Sequence, residues 1–181
     1  MGNRLALQGR SASLTLAGLQ FCKLALPGRT AIVRLASLRQ RGGGERLTRP
    51  RLLIADQNHI IRQTLADLLQ EHCDIVGTVA NGKGLLAELE AADPNVILLG
   101  VALEETTGFE VARCLRQSAC QAKIIIVSLH ESRDLVRAAL AMGISGYVFM
   151  SRVLDDLPAA IEAVCRGETF EPALARDASA D

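Results

Sequence analysis

From residue 51 onward, apolar and polar positions along the chain follow two alternating periods. Short, mostly apolar runs, "RLLIA" (51–55), "DIVGTVA" (74–80), "NVILLG" (95–100), "KIIIVSL" (123–129) and "SGYVFM" (145–150), read as strands. Between them apolar residues recur at helical spacing. Ile61, Leu65, Leu68 and Leu69 share one face after the first run, and Leu85, Leu86 and Leu89 do so after the second. Gly108 opens a third helix with Val111, Ala112 and Leu115 on its inner side. Residues 131–142 read as the fourth helix, with Gly143 at the position just past the end that favours glycine. The fifth runs over 154–165, with Leu157, Ile161 and Val164 inward.

"NVILL" has only apolar positions after its first residue, so both faces of that strand must be covered, as they are in parallel sheets. Five strand–helix units with short connections predict an α/β fold, a doubly wound (βα)5 parallel sheet. Right-handed crossovers and helices on both faces give the strand order 2-1-3-4-5. In such a sheet ligands meet the carboxyl ends of the strands, around the switch point between strands one and three. Asp56 and Gln57 follow the first strand, Gly100 ends the third, Ser128 lies at the end of the fourth and Met150 ends the fifth. These five are the candidate site. Its central position, Gly100, offers no side chain at all.

Charge changes the picture of the whole. The 181 residues carry a formal net charge of zero. Residues 1–50 hold nine Arg or Lys and one acid, Glu45, whereas residues 51–181 hold eleven bases and nineteen acids. The two parts are different kinds of polypeptide. We read residues 1–50 as a basic extension without regular structure, residues 51–167 as the domain, and residues 168–181 as a linker or tail. "RQRGGGERLTRP" reads as the flexible joint between the first two. Three readings fit the extension: an Arg- and Ser-rich, acid-poor targeting segment, a basic tail for nucleic acid or anionic lipid, or sequence upstream of the true start.

No apolar run approaches the roughly 20 residues of a membrane span, so no membrane association is expected. Aromatic residues make up 3% of the chain and Trp is absent, which argues against a stacking surface for single-stranded nucleic acid. The five cysteines (Cys22, Cys73, Cys114, Cys120, Cys165) form no CxxC pair and lack zinc-site His spacing. All five are expected to be reduced, in a cytoplasmic protein.

"RLLIADQNHIIRQTLADLL" and "GISGYVF" resemble the opening and the fifth strand of the receiver domain of bacterial response regulators, a CheY-like fold, and most closely its NarL-type subfamily. The resemblance covers residues 51–166. In that family two acids after strand one bind Mg2+, an Asp ending strand three accepts a phosphoryl group, and a Ser or Thr and a Lys assist. A hard octahedral cation needs carboxylate oxygens, the acceptor must be a nucleophilic carboxylate, and the Lys offsets charge on the phosphoryl group.

Carried over position by position, the resemblance implies a degenerate pocket. Asp56 matches the first acid, but Gln57 replaces the second, Gly100 the acceptor and Met150 the Lys. Ser128 matches the hydroxyl, and Glu104 stands where the loop after strand three usually carries Pro. A glycine forms no acyl phosphate, and no catalytic residue, Mg2+ or other cofactor is expected; Asp56 alone is a weak metal candidate. The simpler roles are Asp56 capping the first helix, Ser128 bonding a loop amide, and His130 solvated. Met150 is expected to fill the space above Gly100, unless the two open a small apolar ligand site.

Tyr147 matches the aromatic member of the family's switch, paired with Ser128. The residues after the fifth helix, "CRGETFEPALARDASAD", resemble the linker that precedes a helix-turn-helix in the NarL-type subfamily; neither such an output domain nor sequence-specific DNA binding is expected. The reading is a stand-alone, non-enzymatic pseudo-receiver that signals by protein contact. Its partner is a histidine kinase, another regulator or a second copy in a homodimer, met through Arg133, Asp134 and Arg137 on the helix 4–strand 5–helix 5 face or through helices 1 and 5. The alternatives are a small-molecule sensor using the emptied crevice and a truncated transcriptional regulator.

Overall fold

The computed structural model describes residues 49–118 and 120–173, and the backbone of three strands nearer the N-terminus. Five parallel strands, β1 (Arg51–Ala55), β2 (Asp74–Val79), β3 (Val96–Gly100), β4 (Lys123–Ser128) and β5 (Gly146–Phe149), form one sheet in the order 2-1-3-4-5. Helices α1 (His59–Leu69), α2 (Gly82–Ala92), α3 (Gly108–Gln117), α4 (Arg133–Ala141) and α5 (Val153–Cys165) follow the strands in turn. The doubly wound α/β fold expected from the sequence is the fold observed.

Alternate strand residues feed two cores, which is why the strand sequences are apolar throughout. Leu53, Ala55, Ile97, Leu99, Ile124, Ile126, Tyr147 and Phe149 pack under α2, α3 and α4. Leu52, Ile54, Val96, Leu98, Ile125, Val127 and Val148 pack under α1 and α5, against Leu65, Leu69, Leu157 and Ile161. All five residues of β3 are buried.

Local signals set the helix ends. Asn58, Asn81, Thr107 and Ser132 cap the first four helices with side-chain oxygens. At α3 the cap is reciprocal: Thr107 accepts from Glu110 N–H, and Glu110 accepts from Thr107 N–H at 3.0 Å. Helix α4 starts two residues later than its apolar pattern implies, because the Ser132 cap decides the start. Gly143 has φ 79°, the left-handed turn that ends α4.

Three results differ from the sequence reading. Strands at Leu14–Leu16, Leu19–Leu26 and Arg29–Leu35 pair antiparallel in chain order, where composition points to an extension without regular structure. The short apolar stretches there, such as residues 24–26 and 31–33, are a strand signal that the basic composition obscures; the other residues up to 48 lie outside the described residues. The fold also continues past residue 167. Phe170 N–H donates to Ser145 O at 3.0 Å, and Tyr147 N–H donates to Phe170 O at 3.1 Å, so the chain pairs with the open edge of β5. Finally, Cys73, Cys120 and Cys165 are free thiols but Cys114 is disulfide-bonded, not reduced. Pairing depends on which thiols the fold brings together, which spacing does not reveal.

Candidate functional site

Strands β1, β3 and β4 deliver their last residues to one end of the sheet. Leaving β1, Asp56 N–H bonds Val79 O at 3.1 Å and Gln57 N–H bonds Ala102 O at 3.2 Å, which ties this loop to its neighbours. The Asp56 side chain is only 8% exposed. Its Oδ1 accepts the Asn58 N–H at 2.7 Å, while Asn58 Oδ1 accepts from Ile60 N–H and is the true cap of α1. The capping role expected for Asp56 therefore belongs to Asn58, two residues on, where the chain enters the helix. Burial raises the Asp56 carboxyl above its ordinary value, and the Asn58 N–H and the Arg62 guanidinium partly offset this.

The other carboxylate oxygen lies over β3. A β-carbon built on Gly100 would stand 2.0 Å from Asp56 Oδ2 and 2.7 Å from its Cγ. The space above Gly100 thus holds Asp56, not Met150, because Met150 begins a short 3-10 turn (Met150–Arg152) that carries it to the wall. Gly108 closes the same corner from the other side. A β-carbon there would stand 2.0 Å from Gly100 O, so α3 can begin this close to β3 only with glycine. Between them Ala102–Leu103 and Thr106–Thr107 form a small hairpin with Glu104 and Glu105 at its tip. There Glu105 pairs with Lys83 at 3.2 Å and Glu104 accepts from Asn81 at 3.4 Å, both side chains exposed.

The opposite wall comes from β4 and β5. Ser128 Oγ accepts the His130 N–H at 3.0 Å and donates to His130 O at 3.1 Å, a local turn that occupies the hydroxyl. Tyr147 is fully buried, with its ring 5.6 Å from that of Phe149 in an edge-on contact. Burial pushes its phenol up, offset in part by the nearby Ser128 hydroxyl, yet Oη has no hydrogen-bond partner of normal geometry. Asp56, Gln57, Ser128 and Met150 line one cleft of about 190 Å3, whose remaining walls include Ile61, Val101 and Val127. Gly100 is not part of the lining and lies covered by Asp56.

Arg133, Asp134 and Arg137 are exposed on α4. Among the described residues, Ile60, Leu129 and Leu154 are the large apolar residues most open to solvent, at 62%, 69% and 70%. They lie in the first turn of α1, after β4 and in the first turn of α5, at the end of the sheet that carries the cleft.

A model of the response regulator receiver domain matches residues 52–162. The chain belongs to this family. The receiver is 26% identical over 124 residues to the transcriptional regulatory protein LnrK of Bacillus subtilis, covering 67% of this chain and 56% of LnrK. It is 30% identical over 121 residues to the probable transcriptional regulatory protein SgaR of Hyphomicrobium methylovorum, covering 66% and 57%. The chain therefore spans little more than half the length of these relatives. Among solved structures, the receiver is similar to a LuxR-family two-component response regulator from Aurantimonas sp. SI85-9A1, with TM-score 0.64 at 25% identity over 68% of this chain and 90% of that one. The isolated REC domain of RcsB from Salmonella enterica serovar Typhimurium with the phosphomimetic BeF3− matches in fold, with TM-score 0.63 at 21% identity over 69% and 94%.

One contributor to this receiver's site escapes the sequence reading. Arg62 Nη1 donates to Asp56 O at 2.6 Å and to Gln57 O at 3.1 Å, holding the loop after β1 from the first turn of α1. Its signal was available: a helix starting at His59 places Arg62 on the turn that faces back toward that loop. No helix of the described residues is long and apolar enough to cross a membrane.

Proposed function

We propose that this receiver is a phosphorylation-independent signalling module, without catalysis of its own, that works in the cytoplasm by contact with another protein. One observation carries the reading: Asp56 Oδ2 occupies the space where a side chain on residue 100 would begin. The place from which a strand-three carboxylate would receive a phosphoryl group is filled by the side chain of a neighbouring strand's loop.

The donor set argues the same way. Mg2+ takes near-octahedral oxygen coordination with carboxylate help, and here one carboxylate and the Gln57 amide face the cleft. No group of three or more His, Cys, Asp or Glu suited to a metal occurs among the described residues. These residues do not fit a Mg2+ site, and Met150 supplies no cation to offset phosphoryl charge.

Protein contact is supported by the exposed Arg133, Asp134 and Arg137 on α4 and by Ile60 and Leu154 at the starts of α1 and α5. A histidine kinase, another regulator or a second copy of the chain fits these faces. The acidic balance of residues 51–181 gives no electrostatic support to sequence-specific DNA binding by this part. A second reading, a small-molecule sensor, is favoured by the apolar walls of the cleft. The test of the first is fluoroberyllate with Mg2+, which mimics an acyl phosphate. The melting temperature and the oligomeric state of the full chain are expected to stay unchanged, and a shift in either contradicts the proposal.

A further inference from the structure

The cleft pairs one buried carboxylate with largely apolar walls. Asp56 is 8% exposed, and only its Oδ1 is engaged, by the Asn58 N–H. Arg62, the charge that bears on it most, spends its Nη1 on the main-chain carbonyls of Asp56 and Gln57. Among the described residues no Lys or Arg lines the cavity; Ile61, Val101, Val127 and Met150 do, with Ser128 and His130 beside them. A desolvated carboxylate whose nearest cation, Arg62, makes its hydrogen bonds to main-chain carbonyls and not to the carboxylate is only partly compensated, and a ligand that brings a charge to it relieves the rest.

The volume limits what that ligand is. At about 190 Å3 the cleft is smaller than the roughly 300–1,000 Å3 that hold drug-sized molecules. Anions are disfavoured by Asp56, and a divalent ion lacks further carboxylates. A compact monocation with N–H donors and a short apolar body matches both the charge and the walls. The Gln57 side-chain carbonyl at the mouth is a further acceptor.

We propose that the cleft binds a small primary ammonium ion, its nitrogen at the Asp56 carboxylate and its alkyl chain against Ile61, Val101 and Met150. The assignment rests on the reading that this cleft takes no phosphoryl group, and it names a ligand for it. The protein-contact role does not depend on it.

The experiment is thermal denaturation of the full chain with n-propylammonium chloride as probe. Sodium chloride, n-propanol, sodium propionate and MgCl2 are run at matched ionic strength. Propylammonium is expected to raise the melting temperature by about 2–4 °C in a concentration-dependent way, and the neutral and anionic isosteres to leave it unchanged. Asp56→Asn is expected to abolish the response. Met150→Lys, which tethers an ammonium to the wall and keeps Asp56, is expected to abolish it as well. No response to propylammonium beyond that to sodium chloride overturns the proposal, as does an equal response in folded Asp56→Asn. A larger, Asp56-dependent response to MgCl2 overturns it in favour of a metal. A phosphoryl adduct on intact mass, by contrast, strikes at the underlying reading of the cleft and not at the amine alone.

Discussion

Asp56 and Gly100 exclude one another's side chains: the β-carbon that Gly100 lacks would stand 2.0 Å from Asp56 Oδ2. The two come from adjacent parallel strands, so neither backbone can retreat without breaking the sheet. Gly100→Ala is expected to cost about 1–3 kcal/mol in urea denaturation, the usual range for overpacking. In an Asp56→Ala background most of that cost should vanish, giving a coupling of about 1 kcal/mol or more. Additive losses would show that Asp56 does not occupy the space. Gly100→Asp should cost more than Gly100→Ala, since it adds a second carboxylate to the same corner.

Gly108 makes the contrasting case. Its missing β-carbon would stand 2.0 Å from a backbone atom, Gly100 O, and not from a side chain that can rotate. Gly108→Ala should therefore destabilise by about 3 kcal/mol or more. The Asp56→Ala background should give no relief.

The environment of Asp56 also predicts a pH dependence. Its carboxyl is raised in the folded state, so the folded chain holds that proton to higher pH than the unfolded chain does. Stability contributed by this group is then full below the unfolded value and falls as pH rises through the folded one. The stability difference between Asp56→Asn and the parent should grow in favour of the variant from about pH 4 upward. A flat difference, or one that grows toward low pH, would contradict the burial of this carboxylate.

Tyr147 carries a buried hydroxyl without a hydrogen-bond partner of normal geometry. Removing it takes away an unmet polar group and leaves the ring packing on Phe149 intact. Tyr147→Phe should be neutral or stabilising, by up to about 1–3 kcal/mol in thermal or urea denaturation. A loss of more than about 1 kcal/mol would show that the hydroxyl is hydrogen-bonded.

The fold was legible because the apolar runs of 52–55, 96–99 and 124–127 admit no solvent-facing side, and because short connections leave few ways to link parallel strands. The cluster of Asp56, Gln57, Ser128 and Met150 was legible for the same reason, since strand ends converge at the switch point. What fills the gap over Gly100 was not. Strand order brings the end of β1 beside β3, but which side chain enters the vacancy is set by rotamers and by the Asn58 N–H that turns Asp56 inward. Phe170 was missed because pairing to an open strand edge is a main-chain event that leaves no periodicity behind.

The central claim is that no phosphoryl group is carried here, even though one carboxylate stands in the space over Gly100. Intact-mass spectrometry of the full chain after incubation with acetyl phosphate and MgCl2 tests it most directly. The account predicts an unchanged mass for the parent and for Asp56→Asn alike. A stoichiometric gain of about 80 Da in the parent that disappears in Asp56→Asn would contradict it, by making Asp56 the acceptor.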